Sequence, residues 1–384
     1  MNIKKNNLTI YYFKMMSSLI SIIFSLVLIY IIYRITHKIT PEIFMNKESS
    51  ISKIVNQMKS LKYYKPTPWL INGHIHTIWG MKFKGRTNFK PKKEDINFED
   101  GGQVTIEYFV LEKTQDSAPI LFIIHTMGGG SREPCTNWSA YNFMNQGYRV
   151  IICSCRGCNG SKLKTKRICD SSNYQDTHII IDYVSKKYPS ASNKFLLGFS
   201  MGAMISLRYA TFYNDVDGVI CVSHVVDNKK SDILIYQKLE YLLYGKTLLK
   251  SLTRSINKSD LYSEEEKKKI SNIKSSAEFH DLVSAKNMGL KNSDEYYNLT
   301  KLYGKPFKVK IPTLIINSED DPLTRREFID INELTNKNNN NLAFILTKEG
   351  GHVSFCQGLN GMGSYIEEVA EDFFNIIKKN NHIN

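Results

Sequence analysis

The sequence lacks the residue patterns that nucleic-acid-binding proteins use. Its 384 residues carry a formal net charge of +14, and such an excess of Lys and Arg can attract nucleic acid or an anionic membrane surface. The basic residues are spread along the chain in small clusters, with no zinc-finger spacing, RNP-like aromatic motif or basic-region heptad. We therefore expect no nucleic-acid partner, and we assign the charge to solvated surfaces with some attraction to lipid headgroups.

The sequence also lacks the cysteine spacing of a zinc site. Its seven cysteines are an odd number, and Cys153, Cys155 and Cys158 lie close together in "CSCRGC". A zinc site would need a second cysteine pair or two histidines at finger spacing, and neither follows. Cys153 and Cys155 end an apolar run, so the pattern favours buried free thiols, and we expect no metal.

One long uncharged segment lies near the start of the chain. Met15–Tyr33 contains no charged residue and is bracketed by Lys14 and Arg34. Its length just spans a bilayer core as a helix, and no small-residue cleavage site follows it. We therefore predict a tail at residues 1–14, a single-pass signal anchor at 15–33 and a polar linker at 34–60.

The charges around this segment bear on its orientation. More lysines precede the segment than basic residues follow it, which weakly favours a cytosolic N-terminus and a lumenal C-terminal domain. We therefore expect a single-pass membrane protein of the endoplasmic reticulum or another endomembrane.

From about residue 100, short apolar runs alternate with helix-like stretches. Strands that alternate with helices imply right-handed crossovers and a mostly parallel sheet. We therefore predict one α/β domain at residues 61–380, with a helix-prone, charged interruption at about residues 225–310 that forms a cap or lid over the strand ends. The apolar runs are "VTIEYFV", "ILFIIH", "YRVIICS", "FLLGFS", "GVICVS", "TLIINS" and "LAFILT".

The stretch "FLLGFSMGAM" has the pattern of a strand, a sharp turn and a helix. Within it, Gly198–Gly202 is a G-x-S-x-G pattern centred on Ser200, which is typical of a nucleophile elbow in this context. A serine hydroxyl becomes a good nucleophile only when a histidine takes its proton and a carboxylate orients that histidine. The sequence should therefore contain an acid and a histidine downstream, in that order.

Two later strands supply these partners. The buried run "TLIINSEDDPLT" ends in three acids, of which Asp320 and Asp321 are the stronger candidates, Glu319 is a weaker one, and Asp321 is our choice. The run "LAFILT" is followed by "KEGGHVSF", in which the glycine turn lets His352 reach the nucleophile. The predicted catalytic triad is Ser200, Asp321 and His352.

The glycine-rich stretch "LFIIHTMGGGS" could hold either a phosphate or an oxyanion. A phosphate loop would need a lysine after the glycines, or a G-x-G-x-x-G pattern that opens a helix, and neither is present. Its place after an earlier strand suits the second half of an oxyanion hole. We therefore predict the backbone N–H groups of Met201 and Met127 as oxyanion donors, with Thr126 or Gly128 as alternatives to Met127.

Several motifs in one order connect these predictions to a known family. They make the chain resemble the membrane-anchored abhydrolase-domain lipases and esterases of the AB hydrolase superfamily, which include monoacylglycerol lipases, a medium-chain phospholipase, YheT-type esterases and medium-chain ester synthases. The resemblance covers about residues 60–380. The motifs are "KPTPWLINGHIHTIWG", "HTMGGGS", "RGCNGS", "GFSMGA", "EFHDLVSAKNMGL", "DEYYN", "NSEDDP" and "GGHVSF".

The resemblance implies an α/β-hydrolase fold, the triad named above, no cofactor, and a lipid ester substrate with short to medium acyl chains. The chain departs from the family at Thr126, where a glycine is usual, so the backbone φ of Thr126 bears on the second oxyanion donor. We expect hydrolysis through an acyl-Ser200 intermediate. Acyl transfer to an alcohol would use the same triad, and a non-catalytic membrane scaffold is a third alternative. No obligate protein partner is evident in the sequence.

Overall fold

A nine-stranded sheet lies at the centre of the fold. The structure is a computed structural model that describes residues 2–302, 307–335 and 339–381, without the side chains of residues 2–11. The strands are β1 (Glu42–Phe44), β2 (Lys92–Asn97), β3 (Gln103–Phe109), β4 (Ile120–Ile124), β5 (Arg149–Cys153), β6 (Lys194–Phe199), β7 (Gly218–Val222), β8 (Thr313–Ser318) and β9 (Leu342–Thr347), with a separate hairpin of β10 (Cys356–Gln357) and β11 (Gly363–Ser364). Across the sheet the strands follow the order β1-β9-β8-β7-β6-β4-β5-β3-β2.

The middle of the sheet is parallel, and its two edges are antiparallel. Strands β5, β4, β6, β7, β8 and β9 pair in parallel, whereas β3 and β2 at one edge and β1 at the other run antiparallel to their neighbours. Every residue of β4, β5, β7, β8 and β9 is buried. The continuous apolar runs therefore do form strands that are covered on both faces, as the sequence predicts.

Helices cover the two faces of the sheet, and alternate residues of each strand point to opposite faces. In β4, Ile120, Phe122 and Ile124 belong to one apolar cluster, and Leu121 and Ile123 belong to the other. The helices are α1 (Asn2–Thr36), α2 (Ser50–Val55), α3 (Gly73–Ile78), α4 (Pro134–Asn145), α5 (Tyr174–Lys187), α6 (Met201–Phe212), α7 (Asn228–Ile235), α8 (Lys238–Glu240), α9 (Lys246–Asn257), α10 (Glu264–Ser271), α11 (Ser276–Phe279), α12 (Ala285–Asn287), α13 (Ser293–Thr300), α14 (Ile331–Leu334) and α15 (Tyr365–Asn381).

Most of the described interval between β7 and β8 is helical, with short loops between the helices. It contains α7 to α13 and two π-helical turns, Tyr241–Gly245 and His280–Ser284. Part of this insertion packs in a separate small apolar cluster, in which Leu249, Leu252 and Ile256 of α9 are buried with Phe279 and with Ile168 from outside the insertion. The helix-prone character of residues 225–310 therefore corresponds to a packed helical insertion.

The segment expected to be a polar linker, residues 34–60, is instead packed onto the sheet. Its strand β1 pairs with β9, and Ile51, Ile54 and Val55 of α2 are buried in the cluster that covers one face. A few apolar residues at helical spacing are enough to bury a short amphipathic helix, although the surrounding composition is polar.

The N-terminal helix α1 extends beyond the predicted span. Its part from Tyr12 to Thr36 is long and apolar enough to cross a membrane, by length and composition, and its most apolar stretch is not buried. A signal sequence would satisfy the same criteria. The helix ends at the globular part of the chain, where Arg34 is buried and bonds to Glu349 with its guanidinium nitrogens 2.8 Å from the carboxylate oxygens.

Candidate active site

The residues predicted for the site follow the carboxyl ends of four strands. Met127 follows β4, Ser200 follows β6, Asp321 follows β8 and His352 follows β9. Because parallel strands end at the same edge of a sheet, side chains from distant parts of the sequence meet there.

Ser200 occupies a strained turn between β6 and α6. Its φ of 55° and ψ of −112° lie in a region that residues other than glycine rarely adopt. A Cβ on Gly198 would lie 2.2 Å from the carbonyl oxygen of Gly202, and a Cβ on Gly202 would lie 2.3 Å from the carbonyl oxygen of Ile124. Both glycines of the G-x-S-x-G pattern are therefore required by close backbone packing.

His352 connects the serine to an acid. Its Nε2 is 2.8 Å from the hydroxyl oxygen of Ser200, and its Nδ1 is 2.8 Å from Oδ2 of Asp321. With the hydroxyl donating to Nε2, the ring carries its proton on Nδ1 and donates it to the carboxylate. The structure thus brings the three predicted triad residues into one hydrogen-bonded chain.

The neighbouring acids have different positions. Oδ1 of Asp321 accepts the N–H groups of Leu323 and Thr324 at 2.8 and 3.0 Å, which leaves Oδ2 to the histidine. Oδ1 of Asp320 instead accepts the N–H of Gly351 at 2.8 Å, and burial raises the pKa of Asp320 to about 6. Glu319 is exposed. Of the three candidates, only Asp321 bonds to His352.

Two hydroxyl groups that the sequence does not single out hold the histidine loop. The backbone N–H of His352 donates to the Thr77 hydroxyl at 2.8 Å, and the N–H of Val353 donates to the Ser223 hydroxyl at 2.8 Å. Thr77 lies in "NGHIHT", a motif that carries the family resemblance without a role of its own. The residues in these contacts are far apart in the sequence, so no local sequence pattern predicts the contacts.

The backbone conformation of Thr126 shows how the chain accommodates threonine at a position where the family usually has glycine. Thr126 has a negative φ, and the positive φ values of this loop belong to Gly128 and Gly130, at 67° and 155°. The N–H of Thr126 donates to the Glu133 carboxylate at 3.1 Å, and its hydroxyl donates to the same group. Threonine therefore fits without strain, and its N–H is occupied.

The N–H of Met127 is the next donor along the loop. In the described part of the chain it donates to no protein acceptor. Met201 is the first residue of α6, where a backbone N–H has no partner within the helix. The loop before Met127 is fixed by His125, whose Nε2 accepts the N–H of Cys155 at 3.1 Å.

Two cavities adjoin this centre. One, of about 100 Å³, is lined by Ser200 and His352 and continues between apolar and aromatic side chains. Burial lowers the pKa of His280 in its wall to about 3, so this imidazole is neutral at pH 7. A larger cavity of about 820 Å³ lies between the glycine loop and α9, and Met127 borders both. The apolar wall of the first cavity includes Met204, Ile235, Leu248, Tyr296 and Leu323.

No metal centre accompanies these cavities in the residues that the structure describes, since no three His, Cys, Asp or Glu side chains there are grouped to hold an ion. The thiols of Cys153 and Cys155 are buried, and burial raises the pKa of Cys153 above its ordinary value.

Comparison with known proteins places this arrangement among hydrolases. The profile of the Hydrolase_4 family, described as serine aminopeptidase S33, matches residues 115–353, which is more than half of the chain. The chain is 26% identical to the human phospholipase ABHD3 over 83% of its own length and 80% of that protein. It is 23% identical to a monoacylglycerol lipase of Saccharomyces cerevisiae, over 78% of this chain and 77% of that one.

Among solved structures, an esterase from Pyrococcus furiosus has a similar fold. It matches with a TM-score of 0.50 and 17% identity, over 75% of this chain and 91% of the esterase.

Proposed function

The chain belongs to the Hydrolase_4 family, described as serine aminopeptidase S33, and we propose that it is a serine esterase that hydrolyses carboxylic esters of lipids. The similarity to a phospholipase and a monoacylglycerol lipase supports lipid esters as the substrate class. The observation that carries the proposal is the hydrogen-bonded chain from Ser200 through His352 to Asp321.

The reaction begins when His352 takes the hydroxyl proton and Ser200 attacks the ester carbonyl. The N–H groups of Met201 and Met127 stabilise the resulting oxyanion, and one such donor contributes about 3 kcal/mol to transition-state stabilisation. The leaving alcohol takes the proton from His352, and water then releases the fatty acid from the acyl-enzyme. Asp321 keeps the imidazole in the required tautomer throughout.

The two cavities suit the two parts of such a substrate. The smaller, largely apolar cavity accommodates a short to medium acyl chain, and the larger one, with Arg132, Lys162, Arg254 and Lys258 in its wall, accommodates the alcohol part. The helical insertion between β7 and β8 acts as a cap, and its described residues supply part of the walls of both cavities. The helix α1 anchors the domain to a membrane of the endoplasmic reticulum or a related endomembrane.

The proposal is tested by replacing Ser200 in the full-length protein. We expect Ser200→Ala to lower the turnover of a monoacylglycerol by at least about 10⁴-fold, because removing a triad nucleophile leaves only oxyanion-hole and binding effects. The buried Ser206 in the same helix gives the matched control, and Ser206→Ala should keep most of the activity. Undiminished turnover in Ser200→Ala would refute the mechanism.

A further inference from the structure

Large apolar side chains are exposed beside the end of α1. Leu359 is 70% exposed, Phe83 64%, Ile71 52% and Trp69 42%. We call these four residues the apolar rim. Soluble proteins rarely expose a contiguous apolar patch unless a protein, a ligand or a membrane covers it.

Three of the four rim residues, Trp69, Phe83 and Leu359, are connected through Trp79 and one hydrogen bond. The rings of Trp69 and Trp79 are 4.5 Å apart, and Trp79 stacks on Phe83 at 6.1 Å. The indole N–H of Trp69 donates to the carbonyl of Leu359 at 2.8 Å. With this polar group satisfied by the protein, the exposed remainder of the indole is apolar.

The rim is also continuous with the membrane-spanning candidate α1. Arg34 donates to the carbonyl oxygens of Pro68 and Leu70 at 3.0 and 3.3 Å, so its two partners flank Trp69 in the sequence. The same guanidinium bonds to Glu349. Four bonds from one buried side chain therefore hold the backbone around Trp69 at the end of α1.

Cationic and aromatic side chains that shortly precede Trp69 in the sequence or follow α1 suit a lipid headgroup region. The Nζ atoms of Lys38 and Lys65 lie 4.8 and 5.3 Å from the ring centroid of the half-exposed Tyr63. Tryptophan and tyrosine are enriched at membrane interfaces, and lysines near the surface are attracted by anionic lipids.

The rim is joined to the candidate active site through α3. After Ile71 the chain enters α3, whose Thr77 holds the backbone of His352. His74 of α3 lies 3.0 Å from the Tyr244 hydroxyl in the helical insertion, whose residues line the smaller cavity. A rim embedded in a bilayer would thus bring α3, and with it the loop of His352 and the helical insertion, close to the lipid surface.

From these observations we propose that the apolar rim is seated in the surface of the bilayer that α1 enters, so that lipid esters reach Ser200 from the membrane. The occupant is the lipid surface itself, because the patch is continuous with α1 and flanked by interface-type residues. The kinetic consequence rests on the proposed esterase function, whereas the position of the rim does not.

The position is tested by tryptophan quenching in full-length protein reconstituted into phosphatidylcholine vesicles. The sequence has three tryptophans, none of them in α1. The double variant Trp79→Phe/Trp138→Phe keeps only Trp69, and Trp69→Phe/Trp79→Phe keeps only Trp138, which packs in α4 against Tyr141. We expect brominated acyl chains to quench Trp69 at least twofold more than Trp138. Equal quenching would overturn the proposal, whether or not the protein is active.

The kinetic consequence is tested by comparing the hydrolysis of a lipid ester in vesicles with that of a soluble short-chain ester. Phe83→Ser/Leu359→Ser should lower the hydrolysis of a lipid ester in vesicles by at least fivefold and leave kcat/KM for a soluble short-chain ester within twofold. The control is Ile179→Ser, an exposed apolar residue of α5, which should change neither. An equal loss on both substrates, or no loss on vesicles, would contradict the proposal. A wild-type protein inactive on both esters would refute the esterase function and leave the quenching result standing.

Discussion

Two regions of the molecule meet at the loop after β9: the carboxyl end of the sheet, which holds Ser200, and the apolar rim. They differ in almost every respect. At the carboxyl end of the sheet the side chains of His352 and Asp321 are buried, and both ring nitrogens and both carboxylate oxygens are hydrogen-bonded. At the rim the side chains are apolar and exposed, and what fixes them is the bonding of Arg34 to the backbone around Trp69. The geometry at the carboxyl end of the sheet governs cleavage of the ester bond. The surface of the apolar rim governs whether the ester reaches the site from a membrane.

This difference has a simple consequence for mutations. A change at the carboxyl end of the sheet should lower the turnover of every ester by the same factor, because it acts on the chemical step. A change at the rim should act only on esters that are embedded in a membrane. The ratio of vesicle to soluble activity therefore distinguishes the two regions.

The largest effect is expected from the triad acid. Asp321→Asn should lower kcat by about 10⁴-fold on soluble and vesicle esters alike, because the amide stabilises the wrong imidazole tautomer. The adjacent Asp320→Asn keeps an oxygen for the N–H of Gly351 and should lose far less. If Asp320→Asn lost as much activity as Asp321→Asn, the assignment of the acid would be wrong.

A smaller effect is expected from the second oxyanion donor. Met127→Pro removes the backbone N–H, and we expect kcat to fall by about 10²–10³-fold on both forms of ester. Met127→Ala keeps the N–H and is the matched control for the loss of the side chain. Similar kinetics in the two variants would mean that the second donor lies elsewhere in the loop.

The smallest effect concerns stability at the junction of the two regions. Burial raises the pKa of Asp320 from 3.8 to about 6, so between these pH values the folded protein holds a proton that the unfolded chain has lost. The contribution of Asp320 to the free energy of unfolding therefore falls as pH rises through this range, by at most about 3 kcal/mol, and is constant above it.

Melting temperatures in detergent between pH 4 and 7 would measure this contribution. Relative to Asp320→Asn, the wild-type protein should become less stable as pH rises to 6. Parallel melting curves for the two proteins would show that the carboxyl group does not titrate in this range.

The central strands could be predicted because burial on both faces leaves a continuous apolar run, and β8 and β9 have the same bounds as the runs "TLIINS" and "LAFILT". The edge strands β1 and β2 could not. Most residues of β2 are polar and exposed, and β1 has only three residues. An edge strand pairs with a neighbouring strand on one side only, so its amino-acid composition gives little indication that it is a strand.

The residues of the candidate site divide in the same way. Ser200 and His352 are marked by local glycine patterns that have a mechanical cause, and each lies where that pattern predicts. Thr77, Ser223 and Glu133 are fixed by contacts that the folded chain alone creates. The negative φ of Thr126 and its bonds to Glu133 likewise follow from no spacing rule.

The most direct test of the account is to identify the residue that a fluorophosphonate probe modifies in the membrane-reconstituted, full-length protein. Peptide mapping by mass spectrometry should find one adduct, on the peptide that contains Ser200, and no adduct there after His352→Ala, because the serine then lacks its base. Labelling of another serine, or labelling of Ser200 that is unchanged in His352→Ala, would contradict the proposed nucleophile.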